Sequence, residues 1–84
     1  MNANNPTRSD LAALIEAEYK AGLAINDAAD RFKAANRANL ESRCAKYMDV
    51  VHARNAHTAA VNAYYAARAA RHALECALNA SAAL

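Results

Sequence analysis

The chain has 84 residues with one proline, one glycine and a formal charge of +2, so it is one domain without a polyanion-directed excess of charge. Its two cysteines exclude a disulfide framework, and no uncharged run reaches the roughly 18 residues of a transmembrane helix. Nearly a third of the residues are alanine, the strongest helix former, and no β-branched alternation occurs, which points to an all-α chain. The apolar run after Arg8 is broken by Glu16 and Glu18, so neither a signal peptide nor a membrane partner is expected. A soluble, cytoplasmic protein with reduced thiols is the simplest reading.

Residues 1–7 lack periodicity and are expected to form a mobile tail. Thr7-Arg8-Ser9-Asp10 fits a capping box, with Ser9 as a competing cap. A first helix is predicted over about 9–35, with Leu11, Leu14, Ile15, Tyr19, Gly22, Ile25, Ala29 and Phe32 on one side. Gly22 lies in phase with this stripe, so the helix is read as continuous through it.

The stripe 11, 15, 18, 22, 25, 29, 32, 36 should reach Asn39 next, yet the following apolar residue is Leu40. This slip falls on Asn36-Arg37-Ala38-Asn39. Asparagine serves both as a helix C′ residue and as an N-cap, so the turn of a helical hairpin is predicted there, with an uninterrupted helix as the alternative. The second helix is then expected over about 40–79, with Leu40, Cys44, Tyr47, Val51, Thr58, Val61, Tyr65 and His72 forming its stripe and residues 80–84 frayed. A break near 55–58 would instead give a three-helix bundle. Large apolar side chains are few, and small domains with thin cores need reinforcement. The second helix would also overhang the first, and a homodimer forming a four-helix assembly is the expected cover.

Glu16–Lys20 and Asp27–Arg31 are i,i+4 pairs suited to a solvated face. Residues 43–84 hold five basic against two acidic groups and all three histidines, whereas residues 1–42 hold five against six. Asp49/His52, His72/Glu75 and His72/Cys76 are spaced as paired ligands, but zinc wants four donors and no metal or other cofactor is assigned. No nucleophile–base constellation with an oxyanion site is visible, so no enzymatic activity is expected.

The densest functional signal is Tyr64, Tyr65, Arg68, Arg71 and His72, with Arg54 upstream on the same helix. Tyrosine and arginine are enriched at binding hot spots; here the tyrosines would supply apolar area and the arginines would orient an acidic surface. The sequence therefore suggests a small, non-enzymatic regulatory or inhibitory protein that binds a protein partner. A nucleic-acid-binding transcriptional regulator using the basic half is the alternative.

Overall fold

The computed structural model describes residues 6–83 and consists of two antiparallel helices, α1 over Arg8–Glu41 and α2 over Tyr47–Ala83, with no strand among the described residues. The all-α helical hairpin is as expected. Residues 1–5, most of the expected tail, and Leu84 lie outside the described residues. The start of α1 is set by the capping box: the Asp10 amide donates to Thr7 Oγ1 at 3.2 Å and the Thr7 amide donates to Asp10 Oδ2 at 3.0 Å. Two orphan donors of the first turn are satisfied by four consecutive residues.

The turn lies later than expected. α1 continues through 36–39, and the chain reverses at Ser42–Lys46. The buried residues of α1 explain why. Among the less exposed ones, Leu11, Leu14, Glu18, Ala21, Ile25, Ala28, Phe32, Ala35, Asn39 and Ser42 step by three and four without a slip, with Gly22, Ala29 and Ala38 partly covered beside them. Asn39 holds the seam position at 9% exposure and Leu40 points outward at 73%. What reads as a phase slip in the sequence is a polar residue inside the seam.

Asn39 is there because it builds the turn. Its carbonyl accepts the Cys44 amide at 2.8 Å and Ser42 Oγ at 3.0 Å, and its side-chain Oδ1 accepts the Lys46 amide at 3.1 Å. The Cys44-to-Asn39 bond, together with Arg43 N–H to the Leu40 carbonyl at 3.2 Å, is the Schellman closure of a helix C-terminus. Arg43 occupies the C′ position that glycine usually takes, at φ 56°, and Cys44 follows at φ 68°. Left-handed backbone costs a residue with a Cβ about 1–2 kcal/mol, and the three bonds converging on Asn39 hold it in place.

α2 starts at Tyr47 and reaches Ala83 without a break at 55–58, so the three-helix alternative does not hold. Thr58 is an exposed mid-helix residue. The two helices are of nearly equal length, 34 and 37 residues, so the expected overhang is absent. The α2 seam also differs from the expected stripe. Val50, Ala53, His57, Ala60, Tyr64, Ala67, Arg71, Leu74 and Leu78 line it; of the expected stripe Val51 and Val61 are partly covered at its edge, whereas Thr58, Tyr65 and His72 face outward. One residue of displacement rotates a helix by about 100°, which turns the polar interruptions of the expected stripe into solvent-facing groups. His57 sits in the seam opposite Phe32, ring centroids 6.4 Å apart.

Gly22 is helical and its nearest neighbour is the Tyr64 ring: a methyl at its Cα would meet that ring at 3.7 Å, ordinary van der Waals contact. Close helix approach therefore does not require glycine here. Gly22→Ala is expected to stabilise the hairpin by about 1 kcal/mol through helix propensity. Arg43→Gly should do so by a similar amount, about 1 kcal/mol, by releasing left-handed strain. Asn39→Ala should cost about 1 kcal/mol or more, as loss of a cap does, while Asn36→Ala, on the exposed face, should not destabilise. Urea unfolding followed by circular dichroism measures all four.

Candidate partner-binding face

Near the open end of the hairpin the seam is polar. Arg71, at an α2 seam position, donates from Nε to Glu18 Oε2 at 2.7 Å and from Nη2 to Glu18 Oε1 at 3.3 Å, bridging the helices. Its Nη1 donates to Glu75 Oε2 at 2.7 Å, one turn along α2. Side-chain exposures of 23% for Arg71 and 17% for Glu18 place this pair well inside the interface. The two parallel bonds use the guanidinium's planar fork, a geometry that lysine does not reproduce. The hydrogen bond from Arg71 holds the Glu18 carboxyl below its ordinary value of 4.5, assisted by the charges of Arg71 and Arg68 and opposed by partial burial. The hydrogen bonds to Glu18 and then Glu75 raise Arg71 beyond the normal arginine range, so it stays charged.

Two hollows flank this ion pair. One, open to solvent with a volume of about 540 Å³, is lined mainly by apolar groups including Ile15, Tyr19, Gly22, Ile25 and Tyr64, with Glu18 at its edge. The other, about 330 Å³, is lined by Tyr65, Arg68, Ala69, Arg71 and His72. Because Glu18 lines the first and Arg71 the second, the ion pair is the wall between them. The Tyr64 and Tyr65 rings meet edge-on with centroids 5.7 Å apart and link the two hollows along α2.

Both hollows open on the same side of the hairpin. In an antiparallel pair the equivalent flanks of the two seams face the same way, and the Tyr64 ring beside Gly22 marks that side. α1 presents Ile15, Tyr19, Gly22 and Asn26 there; α2 presents Arg54, Thr58, Val61, Tyr65, Arg68 and His72. The opposite flank carries exposed Ala17, Ala24, Ala56, Ala63, Ala70 and Ala77. One face of the molecule is thus aromatic and basic and the other carries mainly alanine, with Arg31 and Asp49 on the same stripes.

The six residues singled out in the sequence divide accordingly. Tyr65, Arg68 and His72 form one exposed cluster, and Arg54 stands on the same stripe nearer the turn. Tyr64 is half-buried and Arg71 is tied between the helices, so these two build the scaffold under the cluster. Two residues of the expected α1 stripe, Ile15 and Tyr19, exposed at 50% and 67%, complete the face instead. Their three-and-four spacing is the signal in the sequence, and by hydrophobicity alone it points to the seam. The pairs Glu16–Lys20 and Asp27–Arg31 form as expected, at 3.3 and 3.0 Å on solvated surface.

The His72/Cys76 pair also forms, with Nε2 and Sγ 3.6 Å apart on exposed surface. Among the described residues no three His, Cys, Asp or Glu side chains converge as a metal site, and no helix is long and apolar enough to cross a membrane. In comparisons with known proteins, the chain matches no family model, no curated protein and no solved structure.

The depressed carboxyl of Glu18 gives a directional pH dependence. Glu18 is ionised in the hairpin at pH values where a free glutamate is protonated, so its stabilisation is complete above about pH 4.5 and lost as pH falls through the lower folded-state value. The thermal midpoint of the wild type should drop below that pH. Glu18→Gln should start lower at neutral pH and lose less on acidification. A midpoint series from pH 7 to 3 on both chains measures the difference.

Proposed function

We propose that this is a small, non-enzymatic regulatory or inhibitory protein that binds and modulates a protein partner through the Tyr/Arg surface of α2. The observation that carries this reading is the exposed cluster of Tyr65, Arg68 and His72 beside the apolar hollow of Ile15 and Tyr19. Tyrosine gives contact area at small entropic cost and arginine gives directed, charge-assisted bonds, which is how hot spots are composed. The scaffold beneath them is fixed by the Glu18–Arg71 bridge, so little ordering cost falls on binding. Modulation works by occlusion: a rigid rod covers a surface of the partner that another molecule would use.

Self-association belongs to the same proposal. The accessible surface is 6203 Å², against about 4,900 Å² for a compact chain of 9.0 kDa by surface scaling. No large side chain among the described residues is fully buried. The turn end exposes Leu40, Tyr47 and Met48 amid charges of both signs, Glu41, Arg43, Lys46 and Asp49. Such a mixed-sign apolar patch suits a second copy of itself, pairing two hairpins into a four-helix assembly.

Tyr65→Ala with Arg68→Ala tests the binding reading, because both residues lie outside the seam. The double variant should retain wild-type helicity and unfolding midpoint yet lose the partner that the wild-type chain retains on affinity capture from its host. Equal retention by both chains would refute the assignment. Sedimentation equilibrium should give twice the 9.0 kDa chain mass, falling toward one chain mass in Leu40→Lys with Met48→Lys.

A further inference from the structure

We infer that the partner surface recognised by this face is an acidic amphipathic helix, lying lengthwise between α1 and α2 with its apolar stripe over Ile15, Tyr19, Val61 and Tyr65. This rests on the protein-binding reading above and names the chemistry of its partner. The charge on the face selects it. Arg54 and Arg68 form no ion pair among the described residues. The one carboxylate that lines either hollow, Glu18, is held by Arg71, which also holds Glu75 one turn along α2. Of the remaining acids on α1, Glu16 and Asp27 are paired with Lys20 and Arg31 on the solvated surface, and Asp30, one turn beyond Asn26, is exposed. The face therefore presents Arg54 and Arg68, outside any ion pair among the described residues, around an apolar centre, with Asp30 an exposed acid near its α1 edge.

That pattern disfavours a second copy of the same face, which would bring Arg54 and Arg68 against their own copies with few acids to offset them. It also disfavours a phosphate backbone, since Ile15, Tyr19, Val61 and Tyr65 interrupt the row of cations that a polyanion track needs. Helical form follows from backbone chemistry. The main-chain groups of α1 and α2 are consumed within their own helices, so the amides and carbonyls that an extended peptide turned into this apolar groove would find no partner there. A helix satisfies its own. The α2 rail from Arg54 to His72 spans 18 helical steps, about 27 Å at 1.5 Å per residue, which matches a partner helix of roughly five turns. Its apolar side chains fill the hollow beside Gly22 and Tyr64, and its flanking carboxylates meet Arg68 and Arg54.

The test uses the full chain and a displayed library of amphipathic helices. Each has a fixed apolar stripe, and Glu, Gln or Lys is allowed at every flanking position. Helices retained by the wild-type protein should carry Glu over Lys by at least tenfold beside the stripe. The Arg54→Glu, Arg68→Glu double variant, checked for unchanged helicity, should reverse that preference toward Lys. Retained helices without a Glu preference, the same preference on the charge-reversed chain, or no retained helix at all would overturn the proposal. Tighter binding of a 20-base-pair DNA duplex at low salt would overturn it in favour of phosphate recognition. If host-partner capture still depends on Tyr65 and Arg68 while the acidic preference fails, only the partner chemistry falls and the protein-binding reading stands.

Discussion

A helix with one neighbour can bury one stripe. Everything else about this molecule follows from that constraint. The hairpin measures 64 × 18 × 14 Å with a radius of gyration of 18.4 Å, against about 12 Å for a compact chain of this length. Alanine along much of the seam lets the helices lie close, but it contributes little area. Stability is therefore supplemented at the ends, by the Thr7–Asp10 box, the Asn39-centred turn and the Glu18–Arg71 bridge. The apolar side chains that flank the seam have nothing to pack on and become the molecule's recognition surface.

The interhelical ion pair links scaffold and surface. A charged pair inside a seam stabilises less than well-packed leucines would, and its better-attested role is to fix register. Here the pairing also holds the rotational phase of α2, which decides which of two adjacent tyrosines faces out. With Arg71 opposite Glu18, Tyr64 packs beside Gly22 and Tyr65 is left 59% exposed next to Arg68. A slide of one heptad would separate the two hollows from their shared wall.

The helical hairpin and the N-terminal cap were legible in the sequence because alanine content and the Thr7–Asp10 spacing are local signals. The turn was not. Its left-handed C′ position is filled by Arg43 rather than glycine, and the residue that organises it, Asn39, exerts its effect through bonds to residues three to seven positions later. The stripe was misphased for a related reason. Tyr19, Tyr65 and Leu40 look like core by hydrophobicity, while Asn39, His57 and Arg71 do not, yet the seam holds the second set. Only the mutual satisfaction of polar groups across the helices, Glu18 with Arg71 above all, distinguishes the two phases, and that pairing joins residues 53 positions apart. The basic-aromatic cluster itself was legible because Tyr65, Arg68 and His72 share one flank of one helix. Its α1 half was hidden behind the misassigned stripe.

The phase of α2 is thus the central claim, and the tyrosines report it directly. Nitration of the full chain under limiting reagent, mapped residue by residue by mass spectrometry, compares neighbours that differ only in which way they point. Tyr19, Tyr47 and Tyr65 should be modified first, with half-buried Tyr64 modified last. Protection of Tyr65 with rapid modification of Tyr64 would contradict the packing described and place the seam one residue further along the helix.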